Sequence, residues 1–263
     1  MQPIPLEKTE SEGRGKPLLR EPETPLLTVI IAAYNESRTI DELLHRVLAT
    51  PYAKQVILVD DGSTDGTAEI LKKWEGHPGV EIITHPRNLG KGTAIRTALD
   101  RARGCFTVIQ DADLECIPED YPALVEPLLL GQSRVVYGSR YLGAPRRTAQ
   151  PWLNRVAVVL LNYFTRLLYG VRLTDEATCF KVLPTDVLRS MKLECVRFEF
   201  CAEVTAKTCR LGLSIREVPV QYFPRSVRAG KKIRWTDGVQ AFATLWKYRN
   251  WRREPASEVV GSR

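Results

Sequence analysis

Asp111-Ala112-Asp113 is the sharpest chemical feature of the sequence. Two carboxylates two residues apart, just after an apolar run, can converge on one divalent cation. Magnesium or manganese held this way bridges a diphosphate and neutralises it as it leaves. Glu115 lies on the same loop and is a candidate third ligand, with a plain surface role as its competitor. A D-x-D pair alone also describes a turn in which one Asp caps a helix near Pro118. The company it keeps gives it weight. Asp60-Asp61-Gly62-Ser63-x-Asp65-Gly66-Thr67 follows a second apolar run. A carboxylate there can accept hydrogen bonds from ribose hydroxyls or a base N–H, while Ser63 or Asp65 caps the next helix. Capping does not explain two adjacent acids at a buried strand end, where unpaired charge is costly. Arg87-Asn88-Leu89-Gly90-Lys91-Gly92 lets the backbone pass close to a ligand and offers two cations for phosphate oxygens. Its spacing is not that of a Walker A loop.

These loops need elements to hold them. The apolar, β-branched runs 26–33, 55–59, 80–84 and 105–110 read as buried strands. Helical spacing over 36–49, 64–74 and 92–103 separates them. Four strand–helix alternations predict an open α/β sheet, Rossmann-like and mostly parallel, flanked by helices. Ligands of such sheets bind at the C-terminal strand ends, where all four polar clusters fall. Beyond Pro118 the spacing predicts a strand over 134–138, a basic loop over 145–151 and a helix over 152–168. A helix beginning near Phe198, a strand over 215–222 and a helix over 236–249 complete the chain. Residues 1–24 read as a flexible tail, 25–250 as the catalytic domain and 251–263 as a polar tail.

The 263 residues carry a net charge of +7, unevenly spread. Residues 1–130 hold 14 Lys and Arg against 21 Asp and Glu, whereas residues 131–263 hold 24 against 10. The six cysteines form no C-x-x-C pair and lie far from most of the three histidines, which argues against zinc and for reduced thiols in the cytosol. No stretch approaches the roughly 18 to 20 apolar residues of a membrane span. A nucleic-acid binder would use the basic half, but its stacking motifs and recognition helix are absent and the acidic strand ends stay unexplained, so no nucleic-acid partner is expected.

Ala33-Tyr34-Asn35-Glu36, Asp60-Asp61-Gly62-Ser63, Arg87-Asn88-x-Gly90-Lys91-Gly92 and Asp111-Ala112-Asp113, in this order, closely resemble family-2 glycosyltransferases of the GT-A fold. Gly138-Ser139-Arg140, Asp175, Phe180-Lys181, Pro224-Arg225-Ser226 and Gly230-Lys231-Lys232 extend the likeness over about residues 26–240. It is strongest to the polyprenyl- and dolichyl-phosphate mannose or glucose synthases. The resemblance implies that Ala33, Tyr34 and Glu36 meet the nucleotide, with Asp61 near base or ribose. It implies that Asp111 and Asp113 hold metal and diphosphate, with Glu115 where relatives often have Gln. Arg140 would bind acceptor phosphate. Arg225, Ser226, Lys231 and Lys232 would close over donor and acceptor phosphates, and Lys91 of the glycine loop would bind phosphate oxygens. Two departures bear on the acceptor: Thr178-Cys179-Phe180 stands where relatives often have Ser-Gly-Phe, and Asn154-Arg155 stands near a Ser-Arg pair.

The balance of charges bears on the acceptor too. A sugar hydroxyl needs a general base, whereas a lipid monophosphate is already anionic and needs cations. The basic half supplies Arg140, Arg146, Arg147, Arg155, Arg225, Arg228, Lys231 and Lys232, but few bases besides Asp175 and Glu176. The expected activity is therefore inverting, metal-dependent transfer of a hexose from a GDP-mannose- or UDP-glucose-type donor to a polyprenyl phosphate. The alternative is a saccharide or small-molecule hydroxyl acceptor with Asp175 or Glu176 as base. The apolar face over 152–168, with Arg155 and Arg166 beside it, reads either as an interfacial face at the cytoplasmic side of a membrane or as core packing. A separate membrane subunit is compatible with either reading.

Overall fold

In this computed structural model, residues 24–143, 152–225 and 235–254 are described, without the side chains of 152–154 and 235. Residues 1–23, 144–151, 226–234 and 255–263 fall outside that description, and with them Arg146, Arg147, Ser226, Arg228, Lys231 and Lys232.

β1 (Leu27–Ala33) is apolar on both faces, so it has to lie inside a sheet covered on both sides. Leu27, Val29, Ile31 and Ala33 pack with Leu43, Leu44 and Val47 of α1 (Ile40–Ala49). Ile30 points the other way, into a cluster with Ala94, Ile95 and Ala98 of α3 (Lys91–Leu99). β2 (Lys54–Asp60) alternates in the same manner, with Val56 and Leu58 on one side and Ile57 and Val59 on the other.

The sheet has seven strands in the order β3-β2-β1-β4-β6-β5-β7. These include β3 (Val80–Thr84), β4 (Phe106–Asp111), β5 (Val135–Ser139) and β7 (Ile215–Pro219). The expected mostly parallel α/β sheet is present. Among the described residues only β6 (Lys181–Pro184) runs against its neighbours, β4 and β5. The chain leaves β1 for β2 and β3 on one side, then crosses to β4 on the other. That reversal opens a crevice at the ends of β1 and β4. Register sets its depth: Ala33 lies opposite Asp60, and Ala32 opposite Asp111.

Three elements have no counterpart in the sequence reading. β6 is four residues long, too short to show a period. α4 (Tyr121–Leu129) carries Pro122 in its first turn and Pro127 inside, yet buries Tyr121, Leu124, Val125 and Leu128. Prolines disguise a helix whose burial outweighs its propensity. α6 (Thr185–Ser190) is under two turns. α2 (Thr67–Leu71), with a 3₁₀ turn over Lys72–Trp74, starts three residues later than the spacing suggests, because residues 60–66 are engaged in loop hydrogen bonds.

α5 (Trp152–Tyr169), α7 (Phe200–Arg210) and α8 (Trp235–Lys247) form a third cluster around Leu161, Ala202, Ala206 and Leu245. The α5 apolar face is divided between packed and exposed residues. Leu161, Phe164 and Leu168 pack inward, whereas Val156, Val159, Leu160, Tyr163 and Leu167 are 45–69% exposed. Among the described residues no helix is long and apolar enough to cross a membrane.

Candidate active site

The polar loops at the strand ends hold one another. Asn35, in the left-handed region at φ 52°, donates its amide to the Ser63 hydroxyl and accepts the Thr64 amide on Oδ1 at 2.7 Å. Asp65 accepts the Ser37 amide and the Thr67 amide and hydroxyl, so it ties the two loops together and holds the first residue of α2. Thr39 donates its hydroxyl to the Ala112 carbonyl at 2.7 Å, joining the β1 loop to the acid pair.

Asp61 is nearly buried and fully engaged. It accepts His85 Nδ1 at 2.7 Å, the Leu89 amide at 2.9 Å and the Gly90 amide at 2.8 Å. It therefore shapes the glycine loop as well as facing the cleft. His85 is a partner that sequence reasoning missed; it stands one residue past β3 and its amide donates to the Asp60 carbonyl at 2.8 Å. The glycines also permit a close approach within the chain itself. A Cβ on Gly90 would meet the Val196 carbonyl at 2.3 Å, and one on Gly92 would meet Cys195 backbone at 2.7 Å. The close approach they permit in this structure is to the segment before α7.

Ten of the thirteen expected site residues line one cleft of about 1310 Å³: Ala33, Tyr34, Glu36, Asp61, Lys91, Asp111, Asp113, Glu115, Arg140 and Arg225. The other three, Ser226, Lys231 and Lys232, lie outside the described residues. The cleft continues between α5, α7 and α8, along Val158, Leu161, Phe200 and Phe242, an apolar extension that sequence spacing did not connect to the acids.

Two side-chain cations sit on the acid pair. Lys91 Nζ hydrogen-bonds Asp111 Oδ1. Arg225 Nη2 reaches Asp113 Oδ2 at 3.1 Å, and the same guanidinium binds Glu36 at 2.8 and 3.1 Å. Burial opposes the Lys91 charge, but Asp111 outweighs it and raises its pKa. Burial, helped by the charges of Asp111 and Glu115, pushes the Asp113 carboxyl up to about 7, while Arg225 pulls the other way. An all-oxygen pair that attracts this much positive charge fits a hard divalent cation. Glu115 is turned elsewhere, to the Tyr222 hydroxyl at 2.7 Å and the Arg225 amide at 2.8 Å.

Arg140 lines the same cleft, its guanidinium over the Tyr222 ring at 5.1 Å. Asp175, fully buried, accepts its Nε and Nη2 at 2.6 Å each and its amide at 3.0 Å. Burial opposes the Arg140 charge, but Asp175 outweighs it and raises its pKa well above the ordinary value. The Asp175 amide is held in turn by Glu217 at 3.0 Å. Glu176, also fully buried, lines the cleft, and among the described residues neither of its carboxyl oxygens has a hydrogen-bond partner. Burial raises its pKa, with Lys181 pulling it back.

Comparison with known proteins adds a family. The family described as glycosyl transferase family 2 matches residues 28–191, more than half of the chain. A dolichyl-phosphate N-acetylglucosaminyltransferase of Methanococcus voltae that uses UDP-N-acetylglucosamine is 29% identical over 214 residues, 74% of this chain and 85% of that one. A dodecaprenyl-phosphate galacturonate synthase of Rhizobium johnstonii is 30% identical over 173 residues, covering 64% of this chain but only 50% of the relative. The chain thus spans about half the length of some relatives and most of others. Glucosyl-3-phosphoglycerate synthase from Mycobacterium tuberculosis, solved with Mn2+, UDP-glucose and phosphoglyceric acid, has the same fold at a TM-score of 0.63 and 21% identity, covering 86% of this chain and 80% of that one. The family match and the seven-stranded sheet with its acid pair at the switch point place the chain in glycosyl transferase family 2, as an enzyme of the GT-A fold.

Proposed function

We propose that this enzyme transfers a hexose, with inversion, from a nucleotide sugar of the GDP-mannose or UDP-glucose type to a polyprenyl phosphate at the cytoplasmic face of a membrane. One observation carries the reading. A single cleft holds the acid pair, an arginine locked by Asp175 and an apolar extension. Asp111 and Asp113 would hold Mg or Mn, which when bound supplies positive charge to the departing diphosphate. Lys91, paired with Asp111, is placed to follow that charge. Arg140, fixed by Asp175, presents its remaining N–H groups to an acceptor phosphate, and such charge-assisted bonds are strong. Asp175 spends both oxygens on Arg140, which argues against it as a base. The relatives named for dolichyl and dodecaprenyl phosphate point to the same acceptor class.

The test is incubation with labelled UDP- and GDP-hexoses, Mg or Mn, and either polyprenyl phosphate or free polyprenol. Label enters the organic extract only with the phosphate. No label with any lipid sinks the reading.

The unpartnered Glu176 favours one alternative, a hydroxyl acceptor with Glu176 as base. The variant Glu176→Gln separates the two. With a phosphate acceptor it keeps transfer within about threefold and gains stability near neutral pH, because it removes a buried acid. As a lost base it costs roughly 10²–10⁴ in kcat.

The exposed stripe on α5 supports peripheral membrane contact. Replacing Val159, Leu160 and Leu167 with Ser is expected to weaken sedimentation with anionic vesicles by tenfold or more, at about 25 cal/mol per Å² of apolar area withdrawn from water. Unchanged sedimentation would place the contact elsewhere.

A further inference from the structure

Glu115 is expected to be a third metal ligand, yet its geometry serves something else. Its Oε2 accepts the Tyr222 hydroxyl at 2.7 Å and its Oε1 accepts the Arg225 amide at 2.8 Å. Its backbone carbonyl accepts the Phe223 amide at 2.8 Å. Asp120 adds a fourth tie, accepting the Gln221 amide at 2.7 Å. Segments a hundred residues apart in sequence are thus fastened side by side. Among the described residues, no group of three or more His, Cys, Asp or Glu converges as a metal cage.

The fastening determines where the Arg225 guanidinium falls, on Asp113 and Glu36. Burial opposes its charge, but Glu36 and Asp113 outweigh it and raise its pKa. Its Nε, however, is buried without a partner among the described residues. Arg225 therefore rests in a place that satisfies its charge but not all its donors. A second cation entering at Asp113 repels it and takes its partner, and an adjacent diphosphate offers the planar fork a better one.

We propose that Glu115 is a positioning residue and not a metal ligand. It fastens the Tyr222–Arg225 segment to the Asp111–Asp113 loop so that Arg225 balances the Asp113 charge when no metal is bound and moves to the donor diphosphate when the metal enters. This rests on the metal-dependent reading of the cleft.

The experiment is titration of the full chain with Mn2+ alone, without nucleotide, followed by electron paramagnetic resonance of free Mn2+. The chains compared are wild type, Glu115→Gln, Glu115→Ala, Arg225→Gln and Asp113→Ala. Removing the competing cation tightens Mn2+ binding in Arg225→Gln by about tenfold. Glu115→Ala binds Mn2+ at least as well as wild type, but tryptic cleavage after Arg225 becomes faster. Glu115→Gln restores most of the protection, since its amide still bonds to the segment. For the transfer reaction, Glu115→Ala lowers kcat and leaves the Mn2+ requirement where it was. A Glu115→Ala protein that loses Mn2+ as Asp113→Ala does would make Glu115 a ligand and overturn the inference. So would unchanged Mn2+ affinity in Arg225→Gln. If Asp113→Ala itself binds Mn2+ like wild type, the metal reading falls, and this inference falls with it. Circular dichroism melts of each variant exclude misfolding as the cause.

Discussion

Asp113→Ala abolishes sugar transfer, with kcat/KM falling by at least about 10³ and nucleotide binding losing its dependence on Mn2+. The expectation follows from position. Asp113 lies beyond the end of β4, in the crevice beside β1, and shares the cleft with Lys91, Arg140 and Arg225. Lys91 on Asp111 and Arg225 on Asp113 show that the acid pair draws positive charge to itself. Wild-type turnover in the variant would refute the metal assignment.

The same residue predicts a pH dependence. With its folded pKa pushed up to about 7, cation-free Asp113 binds its proton more tightly than the unfolded chain does. Relative to the protonated form, stability is lost as pH rises from about 4 through about 7. Asp113→Asn, which cannot ionise, is therefore more stable than wild type near pH 8 by on the order of 1–3 kcal/mol, and not near pH 4. Metal competes with that proton, so Mn2+ affinity falls up to about tenfold per unit below pH 7. A flat affinity between about pH 5.5 and 8 would contradict the assignment.

Asp175→Ala has the largest expected effect on the fold. It leaves Arg140, whose side chain is 14% exposed, without its two-pronged partner. Breaking a buried pair from one side costs about 3–5 kcal/mol, because the remaining charge stays desolvated. For a domain of this size that is a melting shift of roughly 10 °C. Asp175→Asn keeps the shape and one acceptor and loses less. In both variants KM for the acceptor rises more than KM for the donor, since Arg140 is freed to swing while the acid pair is untouched. Melts within about 1 kcal/mol of wild type would show that the pair does not hold Arg140. Equal rises in both KM values would mean that Arg140 does not belong to the acceptor half. A hydroxyl-acceptor enzyme with Asp175 as base would instead lose kcat at unchanged KM.

The two variants probe residues of different legibility. The acid pair could be read directly, because its meaning is local: two carboxylates follow a β-branched run, and the run fixes the sheet, the direction and the end. Arg140 could be read as a cation but not as a fixed one. Its partner lies 35 residues on, and Asp175 looked like a free base until β5 and the loop before β6 came together. Glu115 shows the same difference more strongly. Its spacing from Asp113 fits a ligand, but its oxygens are claimed by Tyr222 and Arg225, more than a hundred residues away.

The sequence by itself determined the alternation of strands and helices, the crevice that alternation implies, the acids at its edge and the excess of cations in the second half. Those features follow from periodicity and composition, which act over a few residues at a time. Only the tertiary structure decided which charges pair. It put His85 on Asp61, Asp175 on Arg140 and Arg225 on Asp113, left Glu176 alone in the wall, and divided α5 into a packed face and an exposed one. The physical reason is range. Hydrogen-bond and ion-pair partners are chosen by contact within a few ångströms, and in an α/β sheet the residues that meet at strand ends come from distant turns of the chain.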